Sequence, residues 1–372
     1  MDRTLPVDAD LSADLTPVAG PERPRRSLSE VFDPQANAVG FLRLFAAGLV
    51  LVSHAFELGG FGNDGDRVGL GPLAVSVFFI LSGFLVTRSL MGSRRISTFL
   101  RRRACRILPG YWVCLIVTAF AFGGVLWWHD HGSLGGFFSA PDGPVRYVQR
   151  NFLLFQRQKP LAGLLTDNPW PFTFNGSLWT LINEARCYLL LAALGALGLI
   201  RSRRAGVLIP LAAFWWIASM VSLPVHLGRL SLVFPLHDQR FARHALAFTL
   251  GALAWVYAER IPMHRLGATI ACGILMVLLG TNTFSLFGTF PLAYAVLFVA
   301  STLPVRRLNT TTDISYGVYI YAYPVQQTLA AFGAHKTGIV VYFVAILLIT
   351  GPLAWLSWRL VERPMMRLRY GH

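Results

Sequence analysis

The stretch AVGFLRLFAAGLVLVSHAFEL, residues 38–58, is apolar over a length that crosses a bilayer, and it carries two conspicuous ionisable side chains, Arg43 and His54. A hydrocarbon core of ~30 Å needs about 20 predominantly apolar residues in one helix. Arg43 and His54 are eleven residues apart, which leaves them ~20° apart around a helix axis and ~16 Å apart along it. They share one face at two depths. A charge at the bilayer centre costs ~2.5–3.5 kcal/mol on insertion scales, so both belong inside a bundle. Two readings stand: a cationic anchor with a titratable base at another depth, or a snorkelling arginine with a hydrogen-bonded core histidine.

Similar apolar runs recur at 72–90, 107–127, 176–199, 205–222, 241–258, 266–281, 286–303, 313–332 and 338–358. Together these predict an all-α integral membrane protein, a bundle of about ten transmembrane helices filling residues 37–372. The chain is 54% hydrophobic and only 14% charged, against about 25% charged in soluble domains. Its 372 residues would suffice for two soluble domains, but that charge density would not cover their surfaces. Residues 1–36 are rich in Asp, Pro, Ser and Arg and read as a disordered cytoplasmic tail. They lack the apolar core of a cleavable signal peptide, so the first span is expected to act as a retained signal-anchor. Cys105, Cys114, Cys187 and Cys272 lie in or beside apolar runs and form no CxxC pair, which suggests neither a zinc site nor a disulfide framework.

The net charge is +15, and all but Lys159 and Lys336 of the 33 basic residues are arginines. In a soluble protein this excess would suggest nucleic acid. Here its distribution explains it, and no nucleic-acid partner is expected. With the N-terminus inside, 21 basic residues fall in cytoplasmic segments. Nine fall outside: Arg67, Arg146, Arg150, Arg157, Lys159, Arg229, Arg240, Arg243 and Lys336. Arg43, Arg88 and Arg186 stay within helices. The split follows the positive-inside rule and predicts both termini in the cytoplasm. Two long outside segments, 128–175 and 223–240, are candidates to cover a binding site.

Glu184 lies about two turns into the run 176–199, at roughly the depth expected of His54. A carboxylate beside a histidine orients the ring and raises its basicity; the plainer reading is a structural ion pair. In the basic stretch Arg101 to Pro109, Arg102 and Arg106 are i,i+4 and Arg103 and Arg106 are i,i+3, so they share a face if helical. Convergent guanidinium groups bind phosphates bidentately. The plainer reading is a topology signal attracted to anionic lipids. His129 and His131 flank Asp130 without a third ligand in register, so no metal is expected.

Six phrases in order make the chain resemble acyltransferase family 3, membrane enzymes that move acyl groups onto cell-surface glycans and other acceptors. The first is Arg43 to His54, an Arg-x10-His spacing. The second is Ala74-Val-Ser-Val-Phe78-Phe79-Ile-Leu-Ser82-Gly83-Phe84-Leu85, with Ala74 where the family has Gly. Arg103-Ala-Cys-Arg106-Ile-Leu-Pro109 and Ser177-Leu-Trp179-Thr-Leu-Ile-Asn-Glu184, continuing to Tyr188, follow. Ser315-Tyr316-Gly317-Val-Tyr319 to Pro324 and Trp358-Arg-Leu-Val-Glu362-Arg363-Pro364 close the series. Ala322 stands where the family often has a histidine, whose role would pass to a neighbour such as Tyr321 or Tyr323. The family's fused esterase-like domain is not part of the match.

The resemblance implies a multi-pass enzyme of the bacterial cytoplasmic (inner) membrane that uses acyl-coenzyme A, acetyl-CoA first among donors. Arg102, Arg103 and Arg106 would hold the donor's phosphates. His54 would be the general base, Glu184 would orient it, and Arg43 would hold the pantetheine arm or the developing charge. The implied acceptor is a hydroxyl of an exopolysaccharide, O-antigen or lipid-linked oligosaccharide, with membrane lipid and polysaccharide-synthesis proteins as surroundings. Two other classes fit the residues less completely: a proton-coupled secondary transporter using Arg43, His54 and Glu184 as a relay, and a scaffold protein of an export complex.

Overall fold

Without water to satisfy a polar backbone, an apolar chain in a membrane closes its hydrogen bonds within helices. The computed structural model describes residues 26–62, 69–200, 203–221, 235–303 and 312–367, and helices occupy the apolar runs within them. They are α1 (Val39–Leu58), α2 (Leu70–Met91), α3 (Ile96–His131), α4 (Trp179–Ala196) and α5 (Leu208–Met220). After these come α6 (Gln239–Val256), α7 (Arg265–Gly280), α8 (Thr289–Thr302), α9 (Ser315–Ala331) and α10 (Ile339–Arg367). Among the described residues the one extended feature is an isolated antiparallel bridge between Ser27 and Pro262.

Among the described residues four helices, α1, α2, α3 and α10, are long and apolar enough to cross a membrane by length and composition. α5, α7 and α8 are shorter apolar helices. α4, α6 and α9 fall in neither group, because they carry the polar side chains that the bundle buries: Arg186, His244, Gln326 and Gln327. Of the four long helices the most apolar, α10, is also the one that buries least of itself in the bundle, whereas the apolar α2 lies well inside it. α9 is the most enclosed, with 13 of its 17 residues buried.

Two expectations change. α3 begins at Ile96, so the basic stretch is helical and continuous with the apolar run. Its 36 residues span ~54 Å, well beyond a ~30 Å hydrocarbon core, so one end must project. The expected tail also gives way in part. Residues 1–25 lie outside the described residues, but Leu28 is fully buried, and its N–H and that of Ser29 donate to Ile261 and Ala258 carbonyls at 2.9 and 3.1 Å.

The helices are held by close approach. A Cβ on Gly83 would stand 1.9 Å from the Phe248 carbonyl oxygen, and one on Gly251 2.1 Å from that of Ile80. α2 and α6 therefore meet backbone to backbone, as small residues allow in membrane bundles. α1 packs between α2 and α9, and α9 packs on α10. Inside α9, Pro324 has no N–H to give the Ile320 carbonyl one turn earlier. The side chains of Asn175, at 2.9 Å, and Cys114, at 3.3 Å, donate to that carbonyl instead. The segment before α4 is thereby fixed to the central helix.

Gly83→Ala should lower the melting temperature of the detergent-solubilised protein by the equivalent of about 1–3 kcal/mol, the usual cost of overpacking. Gly48→Ala should not lower it, since nothing stands within 4 Å of a Cβ there and alanine is the better helix former. Equal melting of both variants would remove the Gly83 crossing as a constraint.

Candidate active site

Two cavities lie in succession along α1. One, of 520 Å³, is lined by Arg43 near the start of α1, by Arg88 of α2, Arg102, Arg103 and Arg106 of α3, and Glu184 of α4. The other, of 660 Å³, is lined by Ser53, His54 and Glu57 near the end of α1, with Trp179 of α4 and Arg240, Arg243 and His244 of α6. Val75, Thr180 and Tyr319 line both. These three residues form the wall between the chambers. Tyr319 donates its hydroxyl to the Ser177 carbonyl at 2.9 Å, and the Thr180 hydroxyl lies 2.5 Å from the same phenol oxygen.

The arginine chamber follows from helical spacing on α3. Arg102, Arg103 and Arg106 are half-buried on its cavity face, whereas Arg94, Arg95 and Arg101 are exposed. Arg103 donates to the Ser89 hydroxyl at 3.3 Å. Arg106 donates to Oδ2 of Asp313 at 2.5 Å, and Arg43 stands 3.6 Å from that oxygen. The other oxygen, Oδ1, accepts from the hydroxyl and backbone N–H of Ser315, at 2.5 and 3.3 Å. One carboxylate thus ties α1 and α3 to the first turn of α9, where negative charge also suits the helix dipole. Five guanidinium groups and one lining carboxylate make the chamber strongly cationic.

Five of the six expected site residues meet in this chamber: Arg43, Arg102, Arg103, Arg106 and Glu184. His54 is not with them. It shares a helix face with Arg43, as their spacing predicted, but lines the second cavity. The expected partnership of Glu184 with His54 is therefore corrected. Glu184 accepts hydrogen bonds from the Ser82 hydroxyl, at 3.0 Å, and the Tyr188 hydroxyl, and faces the first cavity. Thr180, one turn earlier on α4, belongs to the intervening wall. Nor does Glu184 pair with Arg186, which donates to Asn183 Oδ1 at 2.7 Å.

The carboxylate beside His54 is Glu57, with Oε2 3.6 Å from Nδ1, close enough for electrostatic attraction but too long for a hydrogen bond. Its i,i+3 spacing on the same helix face was a signal in the sequence. The His54 ring also meets Tyr323 edge to face at 5.1 Å, so a neighbour of Ala322 does reach the histidine. Ala322 itself packs with Ala47 and Leu51 of α1. Asp313, Thr180 and Tyr319 were not assigned site roles from sequence; Asp313 was visible only as a carboxylate at the edge of an apolar run. The segment 128–175 supplies no lining residue to either cavity. Of 223–240, residues 223–234 lie outside the described residues, while Arg240 lines the second cavity.

Fold and cavities define a helical membrane protein with one cationic chamber set against a second, histidine-bearing one. The chain belongs to the acyltransferase 3 family, whose acyltransferase domain it matches over residues 37–359. It is an acyltransferase in that coarse sense. It is 28% identical over 346 residues to an O-acetyl transferase of Shigella phage Sf6, covering 88% of this chain and 96% of that protein. It is also 28% identical over 365 residues to nodulation protein 10 of Rhizobium leguminosarum bv. viciae, covering 90% and 94%. The exopolysaccharide production protein ExoZ of Rhizobium meliloti is 26% identical over 343 residues, covering 85% and 95%. No solved structure matches the chain.

Asp313→Asn should destabilise the protein by up to about 3 kcal/mol, the lower end of the cost of breaking a buried pair. The double variant Asp313→Asn with Arg106→Gln should recover part of that loss, since it removes the charge left over. A double-mutant cycle of melting temperatures measures the coupling, and additive effects would dissolve the proposed clasp.

Proposed function

We propose that this protein transfers an acyl group, acetyl first among candidates, from cytoplasmic acyl-coenzyme A to a hydroxyl of a glycan on the other side of the membrane. The carrying observation is the pair of chambers with a single wall between them. The arginine distribution supports ten crossings with both termini in the cytoplasm. Under that topology the arginine chamber opens inward, where acyl-coenzyme A is found, and the His54 chamber opens outward. Residues 37–372 then act as one transmembrane acyltransferase domain in the cytoplasmic (inner) membrane of a bacterium. The names of the O-acetyl transferase and of the exopolysaccharide production protein support acetyl as the group and an exopolysaccharide, O-antigen or lipid-linked oligosaccharide as the acceptor.

Arg102 and Arg103 hold the donor's phosphates, with Arg88 as a further cation of the chamber and Arg106 held by Asp313 at its edge. Guanidinium groups suit this task because their paired N–H groups match phosphate oxygens. Arg43, beside the same Asp313 oxygen, attracts the arm or the charge that develops on the thioester oxygen. The narrow pantetheine arm points the thioester at the Thr180–Tyr319 wall. His54 takes the proton of the acceptor hydroxyl as its oxygen attacks the thioester carbonyl. The carbon–sulfur bond breaks, an ester forms, and the proton passes to the departing thiolate. Glu57 steadies the imidazolium between those steps. Glu184, bonded to Ser82 and Tyr188, shapes the donor side.

Purified protein in detergent, supplied with acetyl-CoA and acceptor, tests the reading. His54→Gln should keep acetyl-CoA binding and lose transfer by at least about 10²-fold, the low end for a general base. Retention of most activity would take the base role from His54. Arg102→Ala and Arg103→Ala should raise KM for acetyl-CoA, whereas Arg94→Ala should change it little; equal small effects at all three would leave the basic stretch a topology signal. A reporter active only in the periplasm should be silent when fused after His372, and strong activity there would overturn the sidedness.

A further inference from the structure

The second chamber carries more positive charge than its place in the chain explains. Arg240 and Arg243 both line it, one turn apart at the start of α6, on the side where the charge distribution leaves few arginines. Neither forms an ion pair among the described residues. The nearest carboxylate in sequence, Asp238, is occupied in capping α6, its Oδ1 accepting the Arg240 N–H at 2.9 Å. Glu57, the one carboxylate among the described residues lining the chamber, stands against His54. The Arg243 guanidinium makes a single long bond, Nε to the Gln239 carbonyl at 3.4 Å. Arg240 is exposed and lies over the Trp179 ring, its central carbon 5.8 Å from the ring centroid.

Each feature points toward a bound ligand. Guanidinium groups that pair with no carboxylate among the described residues have paired donors suited to a carboxylate or phosphate. The Trp179 indole, with Arg240 over its ring and the His244 ring 5.2 Å away, holds the Arg240 guanidinium at the chamber. The volume of 660 Å³ falls within the roughly 300–1,000 Å³ of small-molecule sites. His54 lines the same chamber, so a ligand anchored at Arg240 and Arg243 shares the chamber with the base.

We propose that the acceptor of this enzyme is an anionic glycan, with Arg240 and Arg243 gripping a carboxylate or phosphate while a neighbouring hydroxyl meets His54. The inference rests on the acyl-transfer reading for the ligand's role as acceptor. Arg240 and Arg243 then determine specificity; they do not touch the reacting atoms.

The test separates binding from turnover. Three probes are titrated calorimetrically into the full chain in detergent: an oligosaccharide ending in a uronic acid, its carboxyl-reduced counterpart, and a neutral sugar on a polyprenyl diphosphate. Wild type should bind at least one anionic probe about tenfold or more tightly than the neutral one, the value of one good charge-assisted contact. The uronic acid being the tight one places the anion on the sugar; the diphosphate being the tight one places it on the linker. Arg243→Gln and Arg240→Gln should abolish the preference without weakening the neutral probe, and Arg243→Lys should retain part of it. Arg240 is exposed, so its variant tests the idea without threatening the fold. Equal binding of all three probes by wild type, or a preference untouched by both variants, overturns the proposal. Acetyl transfer to the same probes is then followed: intact discrimination in binding with no transfer to any acceptor would defeat the acyl-transfer reading instead.

Discussion

One carboxylate, Asp313, allows a cationic chamber to exist inside an apolar bundle. Arg43 and Arg106 come from helices far apart in sequence, and each would be costly to enclose alone. Both stand against the same Asp313 oxygen, at 3.6 and 2.5 Å, so one carboxylate offsets the desolvation of two cations only in part, and a net positive charge remains. That residual charge is what an anionic donor can use. The same contact fixes the depth of α1 relative to α3 and the start of α9. From that start α9 carries Tyr319 to the wall between the chambers and Tyr323 to the edge of His54.

The wall is the second dependency. Thr180 and Tyr319 come from α4 and α9, and their hydroxyls meet in the line between the two cavities. Around them the bundle is rigid for identifiable reasons: the Gly83–Gly251 crossing brings α2 and α6 to backbone contact, and the carbonyl that Pro324 orphans anchors the segment before α4. Val75 of α2 completes the separator, so three side chains stand between the two cavities. Under the proposed function this is where the acyl group changes chambers, and the side-chain rotamers of Thr180 and Tyr319 are the smallest movement that opens a passage.

Much of this was legible in the sequence because hydropathy in a membrane protein is a strong signal. Apolar runs give the helices, and an eleven-residue spacing puts Arg43 and His54 on one face. The convergence of Arg102, Arg103 and Arg106 also follows from i,i+3 and i,i+4 geometry, once the stretch is known to be helical. The partners across helices were not legible. Counting residues from the helix ends puts Glu184 near the depth of His54, but Glu184 lies one turn past Thr180 of the wall, level with Ser82 of α2. Ser53, next to His54, instead sits against Gly71 near the other end of α2. The Glu184 carboxylate therefore meets Ser82 and Tyr188 on the far side of the wall from the histidine. Tertiary packing also sets which acid neutralises which base, so Asp313 could be seen as misplaced but not as the hub of two arginines. The beginning of α3 was missed for a simpler reason: basic residues lower hydropathy without lowering helix propensity.

The central claim is that donor and acceptor enter from opposite faces and meet at one wall. Sealed proteoliposomes holding the protein in one orientation test it, with acetyl-labelled acetyl-CoA in the compartment facing the arginine chamber and the glycan acceptor in the other. The account predicts label on the glycan while coenzyme A stays in the compartment where it was supplied. Label transfer only when acetyl-CoA and acceptor share a compartment would contradict it.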